Sequence, residues 1–443
     1  MKTYKKLKFV ELRELGFWDT KRYLNISDKK FKNNITLSDV LIPYKKKISK
    51  REMIEKKYAI ISKINFGGEL FLRDLNNIEN YKGDIYLVPD NSIIYSKINV
   101  KHGCIFYNDK GNTPFGVSSE YPIFTFDNTI VSGKFLQKLL RTQEFKKLLD
   151  TKATGISKAR VKQADFLATR VPLPPLSEQE TIVKNYYDKI TQATTYEQQV
   201  ETLEKNIESY LFESLGIEQK TEEKTKKKGL QFVEFGKLEK WGIDFILSTE
   251  NIKHLFTMYK ISDLCKISSG GTPSRGRKEY FEGSIPWIKT GELNDAIIYD
   301  TEEKITEEAI KNSSAKLYKK DSLVIAMYGA TIGKTAKLGI EATTNQACAV
   351  LFDINTNLIE IDFLWEYLQS QTKRLKKMAY GSAQPNLNAK IISNYNIPIP
   401  PKETQQAIIN QIDTYKNEIK ILRERATLLK QQAEQEFEQT IFS

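Results

Sequence analysis

Few residues in this 443-residue chain are equipped for bond-making chemistry. There are two histidines, His102 and His254, and three cysteines, Cys104, Cys265 and Cys348, with no CxxC spacing. A zinc cluster, a disulfide framework and a two-histidine metal helix are therefore not expected. Neither histidine has a recognisable nucleophile beside it, so Ser-His or Cys-His catalysis is not expected either. The string GATIGKT, residues 329–335, ends as a phosphate loop does, but that loop needs its first glycine five places ahead of the second. Here Gly329 stands four places ahead of Gly333 and position 328 is tyrosine, so nucleotide binding is not expected.

What the chain has instead is an excess of hydrogen-bond donors. Lys and Arg number 68 against 56 Asp and Glu, and the formal charge of +12 suits a polyanion such as nucleic acid. Arg275, Arg277 and Lys278 lie in the Gly- and Ser-rich segment 268–278, a loop of donors for phosphates or a guanine edge. Lys289 follows the strand-like IPWI, and Tyr328 and Lys334 bracket the glycine string, where Lys334 is expected to meet a phosphate. The amides of Asn345 and Gln346 can bond an adenine edge bidentately, and can equally close a turn before ACAVLF. Earlier in the chain, Lys45, Lys46, Lys47, Lys50 and Arg51 form a basic run that reads equally as a solvated face. Lys97, Asn99, Ser118 and Ser119 occupy places roughly parallel to Met327 and Asn345.

That parallel exists because the chain is written twice. VPLPPLSEQETIVKNYYDK (171–189) returns as IPIPPKETQQAIINQIDTY (397–415), with Pro172, Pro174, Pro175, Gln179 and Ile182 each matched 226 positions on. Gly155 and Gly381 keep that spacing, and FLQKLLRTQEFKKLL (135–149) resembles FLWEYLQSQTKRLKK (363–377). Each half opens alike, FVELRELGFW from Phe9 and FVEFGKLEKW from Phe232, and Asp39 falls opposite Asp263. A repeat of this length decides architecture. Runs such as GDIYLVP, SIIYSKI, YPIFTF, DSLVIAMY and ACAVLF predict strands, with short helices between them.

After each Pro-Pro pair a long helix is expected, about 35 residues and roughly 50 Å. Its apolar seam steps by four and three: Ile182, Tyr186, Lys189, Ala193, Tyr196, Val200, Leu203 and Ile207 in the first, Ile408, Ile412, Tyr415, Ile419, Leu422, Ala426, Leu429 and Ala433 in the second. Ser177 and Glu180 have capping-box spacing for the first helix. Two matched seams in one chain favour antiparallel pairing within it over joining two copies. The expected fold is α+β: two homologous α+β domains separated by a pair of long antiparallel coiled-coil-like helices in a pseudo-twofold internal repeat. The expected boundaries are 1–175, helix 176–216, charged linker 217–230, 231–401 and helix 402–443.

The duplicated plan, with ISSGGTPSRGRKEYFEGSIPWIKTGELND, VIAMYGATIGKTAKLG, TTNQACAVLF and GSAQPNLNAKIISNYNIPIPPKETQQAII in that order, closely resembles the DNA-specificity subunits of type I restriction-modification systems. The first half departs from the family strings after Asp39. The resemblance implies a subunit without catalysis of its own, whose two target-recognition domains each read one part of a split site in double-stranded DNA. It implies methyltransferase subunits, two of them, docked on the helical rod, and a motor-nuclease subunit for cleavage. S-adenosylmethionine and ATP would bind those partners and no cofactor this chain. Helix faces away from the seam, with the Gln179 and Gln405 ends, would meet the methyltransferases. A specificity chain serving a stand-alone methyltransferase or a fused enzyme, and a coiled-coil scaffold without a DNA role, are the alternatives. No apolar run approaches the roughly 20 residues of a membrane span and the N-terminus has no signal-like apolar region, so a cytoplasmic protein without a membrane partner is expected.

Overall fold

The structure is a computed structural model that describes residues 33–73, 81–109, 114–153, 159–217, 255–379 and 386–442. The matched openings at Phe9 and Phe232, the pair Gly155 and Gly381, His254 and most of the charged linker lie outside the described residues. The chain divides into two compact units, Met1–Glu197 with Arg423–Ser443, and Gln198–Leu422.

In the first unit, Asn34–Thr36 pairs antiparallel with Arg170–Pro172. A four-stranded antiparallel sheet has the order Ile42–Tyr44, Ile123–Thr125, Ser92–Tyr95, Ile105–Asn108. A five-stranded sheet has the order Lys47–Ile48, Ile85–Val88, Phe115–Val117, Ile60–Ile64, Leu70–Arg73. Helices Gly133–Leu139, Gln143–Lys152 and Gln163–Leu167 cover the four-stranded sheet. Their contact is aromatic, with the rings of Tyr95 and Phe166 stacked 4.3 Å apart. Phe437 and Ile441, from the end of the second long helix, are buried in this same core.

In the second unit, Met258–Lys260 pairs with Asn396–Pro398, Met258 opposite Pro398 as Asn34 is opposite Pro172. The main sheet runs Lys266–Ser269, Cys348–Phe352, Leu323–Ala326, Thr335–Leu338, the order of the first unit's four strands, and adds Ala296–Ile298 at its edge. A three-stranded sheet joins Glu303–Ile305, Ile285–Ile288 and Thr343–Thr344. Phe363 and Tyr367 of helix Ile361–Ser370 pack with Leu323, Ile325 and Leu351, and Leu211 near the end of the first long helix and Leu215 just after it complete the core.

The repeat extends to single hydrogen bonds. The Asp39 carboxylate accepts the Thr36 N–H at 2.8 Å, and Asp263 accepts the Lys260 N–H at 3.1 Å. Gln179 accepts the Ser132 N–H at 2.9 Å and donates to the carbonyls of Ile130 and Pro174 at 3.1 and 2.8 Å. Gln405 accepts the Glu360 N–H at 2.7 Å and donates to those of Leu358 and Pro400 at 3.0 and 2.9 Å. Both glutamines have no exposed surface, which corrects the expectation that they face a partner. Each ties a Pro-Pro turn to the segment that precedes its domain's helix pair, and a buried polar side chain is tolerable because its hydrogen bonds are made.

The long helices are Leu176–Ser214 and Lys402–Phe442, of 39 and 41 residues, about 60 Å each at 1.5 Å per residue. The first begins one residue before Ser177. The Pro175 carbonyl accepts from the N–H groups of Glu178 and Gln179, and Ser177 lies inside the first turn rather than capping it. The Pro175 carbonyl opens the helix, so the expected capping box is not used. Along the seam Ile182, Val200, Ile408, Ile412, Ile419 and Leu422 are buried, while Tyr186, Leu203, Ile207 and Leu429 are half-buried. In the first unit Lys189, the one polar interruption, pairs with Glu436 at 2.7 Å, and Glu197 pairs with Lys430 at 2.7 Å. The partner's number falls as the first helix's rises, so the strands of this coiled coil are antiparallel. In the second unit Tyr210 lies edge-on to Tyr415 at 6.4 Å.

Candidate nucleic-acid interface

Strand direction gathers the loops the sequence singled out. In the second unit, Lys266–Ser269 and Leu323–Ala326 end where Cys348–Phe352, Thr335–Leu338 and Ala296–Ile298 begin, as Ser269 opposite Ala349, Ala326 opposite Cys348 and Ile325 opposite Thr335 require. Segments 270–278, 327–334 and 345–347 therefore emerge at one end of one sheet. In the first unit the equivalent end carries Lys45 and Lys46 after Ile42–Tyr44, Lys97 and Asn99 after Ser92–Tyr95, and Ser118 and Ser119 before Ile123–Thr125. The Met327 carbonyl accepts the Leu387 N–H as the Lys97 carbonyl accepts the Val161 N–H, and Tyr328 bridges Asn386 as Ile98 bridges Arg160.

GATIGKT is the turn of a β-hairpin. Gly329 and Gly333 have φ of +76° and +80°, and the chain leaves into a strand, not the helix whose N-terminus a phosphate loop needs. Lys334 forms an ion pair with Asp295. The other Asp295 oxygen accepts the N–H and the hydroxyl of Thr335, both at 3.0 Å. Thr335 in turn accepts the Trp365 indole N–H at 3.0 Å, so the loop is braced from below. Tyr328 is 40% exposed at the turn.

Gly270 and Gly271 of the 268–278 segment are explained by crowding. A Cβ on Gly270 would lie 2.1 Å from the Thr344 hydroxyl, and one on Gly271 would lie 2.2 Å from the Ala315 nitrogen. Beyond them Arg275 binds both oxygens of Glu303, at 2.5 and 3.3 Å, and its guanidinium stacks 4.3 Å from the Phe281 ring and 4.9 Å from Trp287. Lys289 reaches Glu302 at 2.8 Å and Glu303 at 3.0 Å. The Arg275 bond, then Lys289, holds the Glu303 carboxyl below its usual range, and the bonds to Glu302 and Glu303 raise Lys289. Arg277 donates to the Tyr280 hydroxyl at 2.7 Å, and Lys278 is exposed. The Asn345 side chain accepts the Ala347 N–H at 3.1 Å, which is turn chemistry, and the Gln346 amide oxygen accepts from the Thr272 hydroxyl.

In the first unit Lys47 pairs with Asp84 at 2.7 Å and Arg51 with Glu55 at 2.7 Å, while Lys45 lies 5.1 Å above the Tyr86 ring. Lys46 and Lys50 are exposed. Lys97 donates to the Ser119 carbonyl at 2.7 Å, the Ser118 hydroxyl accepts the Glu120 N–H at 3.3 Å, and Asn99 takes a left-handed φ of 60°. The acidic partners Asp84, Asp295 and Glu303 were not among the residues picked from sequence, because an ion pair 28 to 39 residues apart leaves no local pattern. Also missed was Phe66, whose signal is the turn-like NFGG between two apolar runs.

The three cysteines are free and buried, and burial pushes the Cys265 and Cys348 thiols up to about 12, which makes them unreactive. Among the described residues no helix is long and apolar enough to cross a membrane.

Residues 254–431 match the family model described as the type I restriction modification DNA specificity domain. The chain is 27% identical over 161 residues to the EcoR124I/EcoR124II type I specificity subunit of Escherichia coli, an alignment spanning 35% of this chain and 39% of that protein. It is 25% identical over 346 residues to the MjaVIII type I specificity subunit of Methanocaldococcus jannaschii, across 76% of this chain and 75% of the relative. A solved structure described as the structural basis of complex assembly and conformational transition of the type I R-M system superposes over 93% of this chain and 98% of its own, with a TM-score of 0.62 at 16% identity. That likeness is one of fold.

Proposed function

We propose that this chain, whose residues 254–431 match the type I restriction modification DNA specificity domain, is the non-catalytic subunit that chooses the target sequence of a type I complex. Each half reads one half-site of a bipartite duplex target through the loops at the equivalent end of its own sheet. Two methyltransferase subunits dock on the outward faces of the long helices and a motor-nuclease subunit joins them. S-adenosylmethionine and ATP bind those partners, and the complex works in the cytoplasm.

The observation that carries this reading is the equivalence of the two loop sets. Two domains with one strand order, each gathering donors at the same end, suit a duplex read twice. Phosphate contacts position such a domain and base contacts specify. On this reading Lys278 and Lys46 serve phosphates, while Arg275, stacked and doubly bonded to Glu303, chiefly fixes its own loop.

The test is to express the chain with its methyltransferase subunits in a methylation-free host and map the modified bases. Two half-sites with a fixed gap are expected, and a single continuous site refutes the reading. Truncating Lys278 to Ala is expected to flatten the salt dependence of binding by about one unit, the share of one phosphate.

A further inference from the structure

Resting on the reading that the first domain meets duplex DNA, we propose that Phe66, backed by His102, is that domain's apolar contact with the bases of its half-site. Phe66 stands in the turn between strands Ile60–Ile64 and Leu70–Arg73. That hairpin belongs to the five-stranded sheet, the part in which the halves differ. Over the corresponding stretch the second unit has its three-stranded sheet instead. Whatever makes two half-sites differ in sequence comes from what the halves do not share.

The turn is fixed rather than loose. Asn65 donates its N–H to the Glu69 carbonyl at 3.0 Å and accepts the Gly68 N–H at 3.0 Å on its own carbonyl. The Asn65 amide oxygen accepts the Glu69 N–H at 2.8 Å, and its NH2 donates to the Glu69 carboxylate at 2.7 Å. Gly68 has φ +76°, and Arg141 donates to the Gly67 carbonyl from outside the hairpin. On this rigid turn Phe66 is 59% exposed. Its ring lies 5.0 Å from that of His102, which is also exposed.

His102 is in the loop that carries Lys97 and Asn99, so the pair stands at the sheet end already assigned to DNA. The surroundings are cationic. Lys146 and Arg141 flank Gly103 and Gly68, while Glu69 is held by Asn65 and Asp150 by Lys101 at 2.5 Å. A preorganised aromatic tip among cations can follow a thymine methyl or wedge an opened base step while the cations take phosphates.

The full complex with its methyltransferase subunits is compared as wild type, Phe66→Ala, Phe66→Trp and His102→Ala, on a duplex carrying the mapped site, at several salt concentrations. Phe66→Ala is expected to weaken binding about tenfold or more with the salt slope unchanged, and to relax methylation specificity in one half-site alone; Phe66→Trp keeps both, and His102→Ala weakens binding less. Unchanged affinity and half-site in Phe66→Ala overturn the proposal. So does weaker methyltransferase association with intact DNA affinity, which makes the tip a protein contact, or a flattened salt slope, which makes it part of a phosphate contact. A wild-type complex that marks no bipartite site overturns the functional reading itself, and the assignment with it.

Discussion

Replacing Gln405 by Leu removes one side chain and orphans three backbone groups: the Glu360 N–H and the carbonyls of Leu358 and Pro400. Gln405 has no exposed surface, so water does not simply take its place. Each orphan costs up to about 1–3 kcal/mol, less for the part-buried Glu360 and Leu358 groups, and the apolar replacement offsets part of it. A net loss of about 3 kcal/mol is expected, and at roughly 2–4 °C per kcal/mol for a unit of this size the melting temperature falls by about 6–12 °C. Thermal unfolding followed by circular dichroism reads the shift, and hydrogen exchange reads the Glu360 amide directly. Gln405→Glu sharpens the test. Its carboxylate still accepts the Glu360 N–H but faces two carbonyls, so its folded-state pKa rises above the ordinary value. A raised value means stability present at low pH and lost as pH rises through it. This variant is therefore expected to be less stable than Gln405→Leu at pH 7 and to regain stability on acidification. A melting temperature within about 2 °C of wild type for Gln405→Leu, with unchanged Glu360 protection, refutes the argument.

Lys138 forms an ion pair with Glu434 and lies 4.1 Å above the Tyr186 ring; Lys138→Glu is expected to destabilise and Glu434→Lys to rescue it. Their coupling in a double-mutant cycle is expected at about 1 kcal/mol, since Glu434 is half exposed. Burial raises the Glu366 carboxyl despite its ion pair with Lys416, so its contribution is complete below the ordinary carboxyl range and fades as pH rises through the elevated value. Denaturant unfolding from pH 4 to 7 is expected to show Glu366→Gln gaining on wild type as pH rises, and a flat difference counts against the shift. Asp295→Asn, which tolerates the left-handed φ of 62°, frees Lys334. DNA binding is expected to become about one unit steeper in salt, and Lys334→Ala in that background removes the gain.

The repeat made much of the fold legible. Both Pro-Pro turns, the helix seams and all five strand-like runs are visible in the sequence because local patterns carry them, and an offset of 226 doubles the signal. Gln179 and Gln405 were visible as a pair but misplaced at a surface. A repeated polar residue looks the same whether it faces a partner or clamps a backbone, and only the burial of the side chain with its three hydrogen bonds distinguishes the two. The cationic loops were visible too, but their counter-ions were not: Glu303 is an ordinary residue of a short strand until Arg275 and Lys289 converge on it. Phe66 went unseen because one exposed aromatic in a turn has no periodicity.

Those counter-ions bear on selectivity. A lysine free in solvent attracts any phosphate, whereas Lys334 on Asp295, Lys47 on Asp84 and Arg275 on Glu303 already have partners. To bind DNA such a cation exchanges a carboxylate for a phosphate, which yields less than a first pairing, so indiscriminate binding is weakened. The same carboxylates hold the side chains in place and lower the entropy lost on engagement. Non-specific affinity falls more than specific affinity wherever the correct duplex offers base contacts that the wrong one lacks. On the proposed reading, in a chain of formal charge +12 the acidic partners take part in sequence choice along with the cations they hold.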